Sequence, residues 1–241
     1  MVRFRVITVF PRIFDSYVNE SLFKRAKREK IVSVDTYDLR DFTNDRHRKV
    51  DDRPFGGGPG MVLQIQPVYK AVSSILKITN RKSQVANRTR KTRIILFSTR
   101  GKKLDAKMAK RLAKYDELIL ICGRYEGVDE RVAEHVADEE VSVGDYILSG
   151  GEIPALALME SVSRFIPGFL GKEESLEEVN GSFPTYSRPE AFVPYLSSHS
   201  SPLSSRRKSG SRAGKIWSVP KVLLSGDHKK IAEWRKAQKR G

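Results

Sequence analysis

The sequence contains one cysteine, Cys122, so no disulfide can form within the chain and the expected compartment is a reducing one, the cytoplasm. Long apolar runs are also missing. None approaches the roughly 18 residues that a membrane-spanning helix requires, so a soluble protein with no membrane partner is expected. The opening MVRFRVITVF breaks its apolar positions with arginines and lacks a continuous apolar stretch followed by small cleavage-site residues. It therefore reads as a strand and not as a signal peptide. Histidines are few and scattered, at His47, His135, His199 and His228, and no metal-ligand spacing accompanies them. Two phosphate-binding signatures are absent as well. Gly101-Lys102 has neither the first glycine nor the Ser/Thr of a Walker loop, and the first strand runs into VFPRIF without the glycines of a dinucleotide fingerprint. What remains, at 241 residues and 39% apolar composition, is a globular chain long enough for one large domain or two small ones.

Acidic residues are missing from two tracts, and the charge follows from that. The net charge is +16; Thr79–Arg93 carries six Lys/Arg and no acid, and Ser201–Gly241 carries twelve against Asp227 and Glu233. Everything else is neutral overall. Such concentration suits a polyanionic partner, because Lys/Arg facing phosphates release condensed counterions. Charge alone does not choose among DNA, RNA and anionic lipid, but no helix-turn-helix or zinc pattern stands beside it to favour DNA. No internal repeat is visible.

Hydrophobic periodicity points to an α/β fold. Arg3–Phe10 alternates as a strand and stops at Pro11, and Phe14–Lys30 carries Phe14, Tyr17, Val18, Leu22 and Phe23 near helical spacing with a basic end. Ile31–Leu39 is a second alternating strand, Asp41–Gly60 a polar loop ending in PFGGGPG, and Pro67–Ile78 a helix. RIILFST (Arg93–Thr99) and ELILIC (Glu117–Cys122) read as buried strands on either side of a helix over Leu104–Ala113. Short apolar strands alternating with amphipathic helices predict a mostly parallel sheet covered by helices on both faces. From Gly168 the chain turns rich in Ser, Gly and Pro, a linker with a flexible segment near Ser197–Lys215. Order returns at Val219–Leu224, and Asp227 is placed to cap a helix through Ala237 with Ile231 and Trp234 on its packed side.

Glycine gathers late in the α/β region, in STRG (Ser98–Gly101), CGRYEG (Cys122–Gly127) and VGDYILSGG (Val143–Gly151). The first two follow buried strands. Loops at the carboxyl ends of parallel strands are where such sheets hold ligands, and glycine lets main-chain amides and carbonyls come close to them. The motifs ICGRYEGVDERV, VGDYILSGGE, SRFIPGFLG, KVDDRPFGGGPGMV, YSRPE and VLLSG together resemble, in order and spacing, the bacterial tRNA (guanine-N1)-methyltransferase (TrmD) family, across essentially the whole chain. The resemblance implies a SPOUT fold with a deep trefoil knot, an exception to the rule that chains are unknotted. It also implies a homodimer, S-adenosylmethionine bent into the knot, and methyl transfer to N1 of guanosine 37 of tRNA. The domains expected are 1–168 for the knotted methyltransferase domain, 169–218 for a linker with a basic insertion, and 219–241 for a basic helical C-terminal domain.

Methyl transfer to guanine N1 requires an in-line sulfonium, a departing N1 proton and stabilisation of charge growing on O6. By resemblance the donor is held by Gly123, Val143, Gly144, Asp145, Tyr146, Ile147 and Leu148, with Phe97, Ser98, Thr99, Tyr125, Gly150, Gly151 and Pro154 around it. Arg164, in SRFIPG, matches the family arginine assigned to O6, and Glu126 helps place the base or a cation; the family's magnesium dependence is implied without any ligand spacing to carry it. Asp52, Gly57, Gly58, Pro59 and Gly60 correspond to the guanine pocket, with Asp51 and Arg53 beside them. One departure concerns the base. Where the family has an aspartate in a Glu-Asp-Ser-Phe-like segment, this chain reads Glu177-Glu178-Val179-Asn180-Gly181-Ser182-Phe183. Glu178 is the nearest carboxylate and is expected to substitute. STRG also lacks the proline of the family's Ser-Pro-x-Gly turn, and an arginine-rich insertion lies between Phe192 and Ser218. The rival readings are a low-activity or inactive homologue kept as an RNA-binding protein, a SPOUT enzyme acting on ribosomal RNA, and a basic DNA-binding protein.

Overall fold

The computed structural model describes residues 1–85, 90–171, 183–193 and 216–238. It divides into two compact units, Met1–Ser175 and Leu176–Gly241. Glu178 and the expected flexible segment at 197–215 lie outside the described residues.

The first unit is built on a five-stranded parallel sheet in the order β2-β1-β6-β5-β7, with β1 Val2–Thr8, β2 Val32–Asp38, β5 Thr92–Lys103, β6 Glu117–Ile121 and β7 Glu139–Ser142. A two-residue hairpin, β3 Asp51–Asp52 against β4 Val62–Leu63, stands apart from it. The helices are α1 Asp15–Val18, α2 Ser21–Arg28, α3 Ile65–Val85, α4 Ala106–Leu112, α5 Glu130–His135 and α6 Glu152–Ser163. All five residues of the central strand β6 are buried, which is what an unbroken apolar run means in a sheet covered on both sides. Leu118, Leu120 and Cys122 face one core, shared with Phe14, Phe23, Met108, Leu158 and Phe169 from α2, α4, α6 and neighbouring segments. Ile119 and Ile121 face the other, shared with Val68, Val72 and Ile75 of α3 and Val132 of α5.

Several elements differ from the sequence reading. The single helix expected over Phe14–Lys30 is a 3-10 turn, Pro11–Phe14, followed by α1 and α2, because Glu20 takes an extended conformation (φ −121°, ψ 163°) and starts the chain afresh. The helix expected over Pro67–Ile78 runs from Ile65 to Val85. α5 and β7 fall between the elements named from sequence. Phe169, assigned above to the linker, is fully buried in the first unit and packs edge-on against Phe23, ring centroids 5.2 Å apart.

In the second unit β8 (Ala191–Phe192) pairs antiparallel with β9 (Trp217–Ser218), followed by α7 (Lys221–Leu224) and α8 (His228–Ala237). Asp227 caps α8, its carboxylate accepting from the Lys229 and Lys230 amides at 3.1 Å each. Trp234 meets Tyr186 at 6.4 Å between centroids.

One charge lies at the heart of the sheet. Glu117 opens β6 with no exposed surface; one oxygen accepts from Arg5 Nε at 3.1 Å and the other from the Thr79 hydroxyl at 2.6 Å. Arg5 reaches on to Asp35 and the Tyr37 hydroxyl, and although burial works against its charge, Glu117 and Asp35 raise its pKa above the usual arginine range. Removing one partner from such a set leaves an uncompensated buried charge. Arg5→Ala is expected to cost about 3–5 kcal/mol in urea unfolding, whereas a change inside the roughly 0.5 kcal/mol typical of surface substitutions would show that the network carries no weight.

Candidate active site

The carboxyl ends of β5, β6 and β7 open onto one cleft of about 520 Å³. β5 contributes through a bulge. Its pairing with β7 jumps between Phe97 and Lys102, both of which register with Val141, so Ser98, Thr99 and Arg100 are lifted out of the ladder and into the cleft wall. Gly101 brings the strand back against β7, and a Cβ there would sit 2.5 Å from the Val141 amide nitrogen. β6 runs directly into the turn Gly123–Gly127. There Tyr125 takes a left-handed φ of +59°, held while the Gly127 amide donates to the Arg124 carbonyl at 3.2 Å and the Glu126 amide to the Met61 carbonyl at 3.0 Å.

The loop after β7 leads to the amino end of α6. Gly151 donates its amide to the Gly123 carbonyl at 2.9 Å, and a Cβ on Gly151 would fall 2.7 Å from Cys122 Cα. Two main chains thus touch with no room for a side chain. Cys122 itself is fully enclosed and its thiol is pushed well above its ordinary range, chiefly by burial, so it is packing and not a nucleophile.

Phe97, Ser98, Thr99, Gly123, Tyr125, Glu126, Val143, Tyr146, Ile147, Leu148, Gly150, Gly151 and Pro154 all line this cleft. Gly144 and Asp145 do not. Gly144 lies in a small turn in which its amide bonds the Ser142 hydroxyl, and the Asp145 carboxylate is taken by Lys103. The amides of Tyr146, Ile147 and Leu148 donate to no other group among the described residues. The glycine cluster stands next to the cleft. Gly56, Gly57, Gly58 and Gly60, with φ between +80° and +116°, form with Pro59 the loop between β3 and β4, and Asp52 accepts from the Arg53 amide at 2.8 Å. Glu126 joins the two regions: its side chain occupies the space a Cβ of Gly60 would need. Arg164 is placed otherwise. It is the C-terminal cap of α6, at 1.5 Å per residue roughly 20 Å along the helix from Gly151.

Sequence reasoning passed over Arg100 and Glu130, which pair at 2.6 Å along the cleft wall, and Arg124 and Glu152, joined at 2.8 Å. Glu152 follows two glycines at a helix start, where an acid is explained by the helix dipole alone; nothing local signalled its burial. Among the described residues no group of three or more His, Cys, Asp or Glu is arranged to hold a metal ion, and no helix is long and apolar enough to cross a membrane.

A parallel α/β sheet with glycine turns walling a small-molecule cleft at its carboxyl edge defines a ligand-binding α/β protein. Which one is settled by comparison. A family model described as tRNA (Guanine-1)-methyltransferase TrmD matches residues 2–241. The tRNA (guanine-N(1)-)-methyltransferase of Clostridioides difficile is 41% identical over 98% of this chain and 92% of its own length, and that of Photobacterium profundum 42% identical over 98% and 84%. The crystal structure of tRNA (m1G37) methyltransferase from Aquifex aeolicus superimposes with a TM-score of 0.72 at 36% identity, covering 97% of this chain and 87% of that one. The chain belongs to the TrmD family of tRNA (guanine-1)-methyltransferases, and is an enzyme of the methyltransferase class.

The contact between Gly151 and Cys122 yields a prediction. Gly151→Ala is expected to lower stability by about 1–3 kcal/mol, as overpacking does, because neither main chain can yield without moving its turn. Gly57→Ala, where nothing lies within 4 Å, carries only the left-handed strain of about 1–2 kcal/mol. Thermal melting should show a lower midpoint for both variants, with the larger drop for Gly151→Ala; an equal or smaller drop there would show that the crossing is not tight.

Proposed function

We propose that this chain transfers a methyl group from S-adenosylmethionine to N1 of guanosine 37 in tRNA, with the 520 Å³ cleft as the donor site and the adjoining glycine cluster as the guanine site. The observation that carries this is the junction at Glu126, which lines the cleft and at the same time packs on Gly60, so that donor and acceptor pockets share one wall. The cleft suits the donor in kind: it has the size of small-molecule sites, apolar side chains within a mixed lining, Val141, Ile147, Leu148 and Pro154 among them, and, on Tyr146–Leu148, amides with no partner among the described residues for the edge of an adenine. When bound, S-adenosylmethionine supplies the methyl group on an electrophilic sulfonium. Gly123, Tyr125, Gly150 and Gly151 position it through main-chain atoms, leaving side chains for the base.

Asp52 and the turn Gly57–Gly60 hold the guanine edge, Glu178 accepts the N1 proton, and the Arg164 guanidinium faces the charge gathering on O6. Arg164 stands at the far end of α6 from the cleft of its own chain, which supports a homodimer in which a second copy completes each site. A magnesium ion acting here would be held by substrate oxygens with at most one or two carboxylates such as Glu126, the usual manner of that ion. The crossings of Gly101 against β7 and of Gly151 against Cys122 support a trefoil knot of the SPOUT kind as the source of the tight loops. The basic tracts engage the tRNA backbone, and a tRNA substrate supports a cytoplasmic enzyme. An inactive RNA-binding homologue is not favoured, since the enzyme's relatives match along nearly the whole chain.

Purified protein given labelled S-adenosylmethionine should methylate unmodified tRNA carrying guanosine 37 and leave tRNA with adenosine there unlabelled; equal labelling of both would refute the assignment. Under single-turnover conditions Glu178→Gln is expected to slow this transfer by ~10²–10⁴, the range for a lost general base. An unchanged rate would remove Glu178 from the mechanism.

A further inference from the structure

Glu152 is 1% exposed although it stands in the first turn of α6. An acid there for the helix dipole alone would face water. Instead both oxygens are occupied: Oε1 accepts from the Thr8 hydroxyl at 2.6 Å, and Oε2 from Arg124 Nε at 2.8 Å. Thr8 is itself fully buried at the end of β1, and its oxygen accepts the Phe10 amide at 2.9 Å. The hydroxyl hydrogen therefore has one direction left. On the other side Arg124 continues the line, donating from Nη1 to the Ser149 carbonyl at 3.3 Å and lying 4.6 Å over the Phe10 ring. Its side chain fills the space beside Gly150 where a Cβ would stand. The turn 123–127 and the turn 149–151 both line the cleft; an antiparallel main-chain bridge at Arg124 and Gly150, with the Gly151–Gly123 bond beside it, joins them, and the Arg124 side chain adds a second tie.

We infer that Glu152 is a positioning residue for the methyl donor: anchored to β1 through Thr8, it fixes Arg124, and through Arg124 it sets the spacing of the two turns whose main chains face the cleft. It touches no substrate in this role. The inference rests on the reading of the cleft as the donor site. Glutamine at 152 has the same size, but its amide can accept from only one of the two donors and presents N–H groups to the other. The relay is then open at one end, and the turns lose their spacing.

The test is donor affinity measured apart from tRNA affinity on the full chain. Glu152→Gln should weaken S-adenosylmethionine binding by ~10- to 100-fold, the scale on which a lost hydrogen bond to a charged group acts, with the dissociation constant for tRNA unchanged. Thr8→Val, of equal volume, should shift donor affinity the same way by a smaller factor, and should add nothing to Glu152→Gln, because both act on one relay. Unaltered donor affinity in the two variants overturns the inference, as does a parallel loss of donor and tRNA affinity, which marks a general structural role. Should Glu152→Gln fail to fold, Thr8→Val decides alone by the same criterion. Wild-type protein that binds no S-adenosylmethionine would overturn the donor reading itself, a separate failure.

Discussion

The site depends on main chain touching main chain. Where Gly151 meets Cys122 and Gly101 meets Val141, the hypothetical Cβ distances of 2.7 and 2.5 Å leave nothing for a side chain to occupy. These are not positions of left-handed backbone; the glycines are required by closeness and not by φ. A close crossing of this kind fixes a turn without spending any side chain on it. The side chains around the crossing are consequently available for other tasks, and Arg124, Glu126 and Glu152 each take one.

That arrangement needs a stiff platform beneath it. β6 supplies one by burying both faces, and the Arg5–Glu117–Thr79 network locks its first residue at the opposite end from the cleft. Strain is placed in the cleft wall. Tyr125 at φ +59° is a non-glycine residue in a conformation that costs of order 1 kcal/mol, and the Met61 and Arg124 carbonyls hold the turn around it. Rigid strand ends, a bulge that lifts Ser98–Arg100 outwards and one strained tyrosine together make a wall whose shape precedes the ligand, the condition for donor and acceptor to meet in line.

Strands β1, β5 and β6 were legible in the sequence because burial leaves near-continuous or alternating apolar runs, and the edge strand β2 because its apolar residues alternate. β7 was not. It is four residues long at the sheet edge, and two of them, Glu139 and Glu140, are acids. Glu139 is tolerated there because hydrogen bonds from Arg111 at 2.7 Å and Arg93 at 2.8 Å outweigh the desolvation that opposes its charge, and its pKa ends below the usual range. Those partners are 28 and 46 residues away, beyond any local pattern. The cleft residues could be named because the glycine-bearing motifs are local and resemble those of the family. Glu152 could not be read as more than a helix-start acid, since Thr8 lies 144 residues distant in sequence, and the outward turn of Asp145 towards Lys103 depended on a pairing of β5 with β7 that composition does not encode.

The same division between main chain and side chain bears on how such a site changes. A wall made of glycine crossings tolerates little substitution, because any added carbon meets backbone that cannot move aside. The side chains that handle a base are under no such constraint, so a proton acceptor can move along the chain provided its carboxyl group still arrives at the same point. A glutamate has one more methylene than an aspartate and therefore a longer reach. On the proposed reading, in which Glu178 is the proton acceptor, such an exchange leaves the glycine turns untouched. The turn Ser98–Gly101 contains no proline to fix a φ, and Arg100, held to Glu130 at 2.6 Å, gives it a side-chain tether from α5.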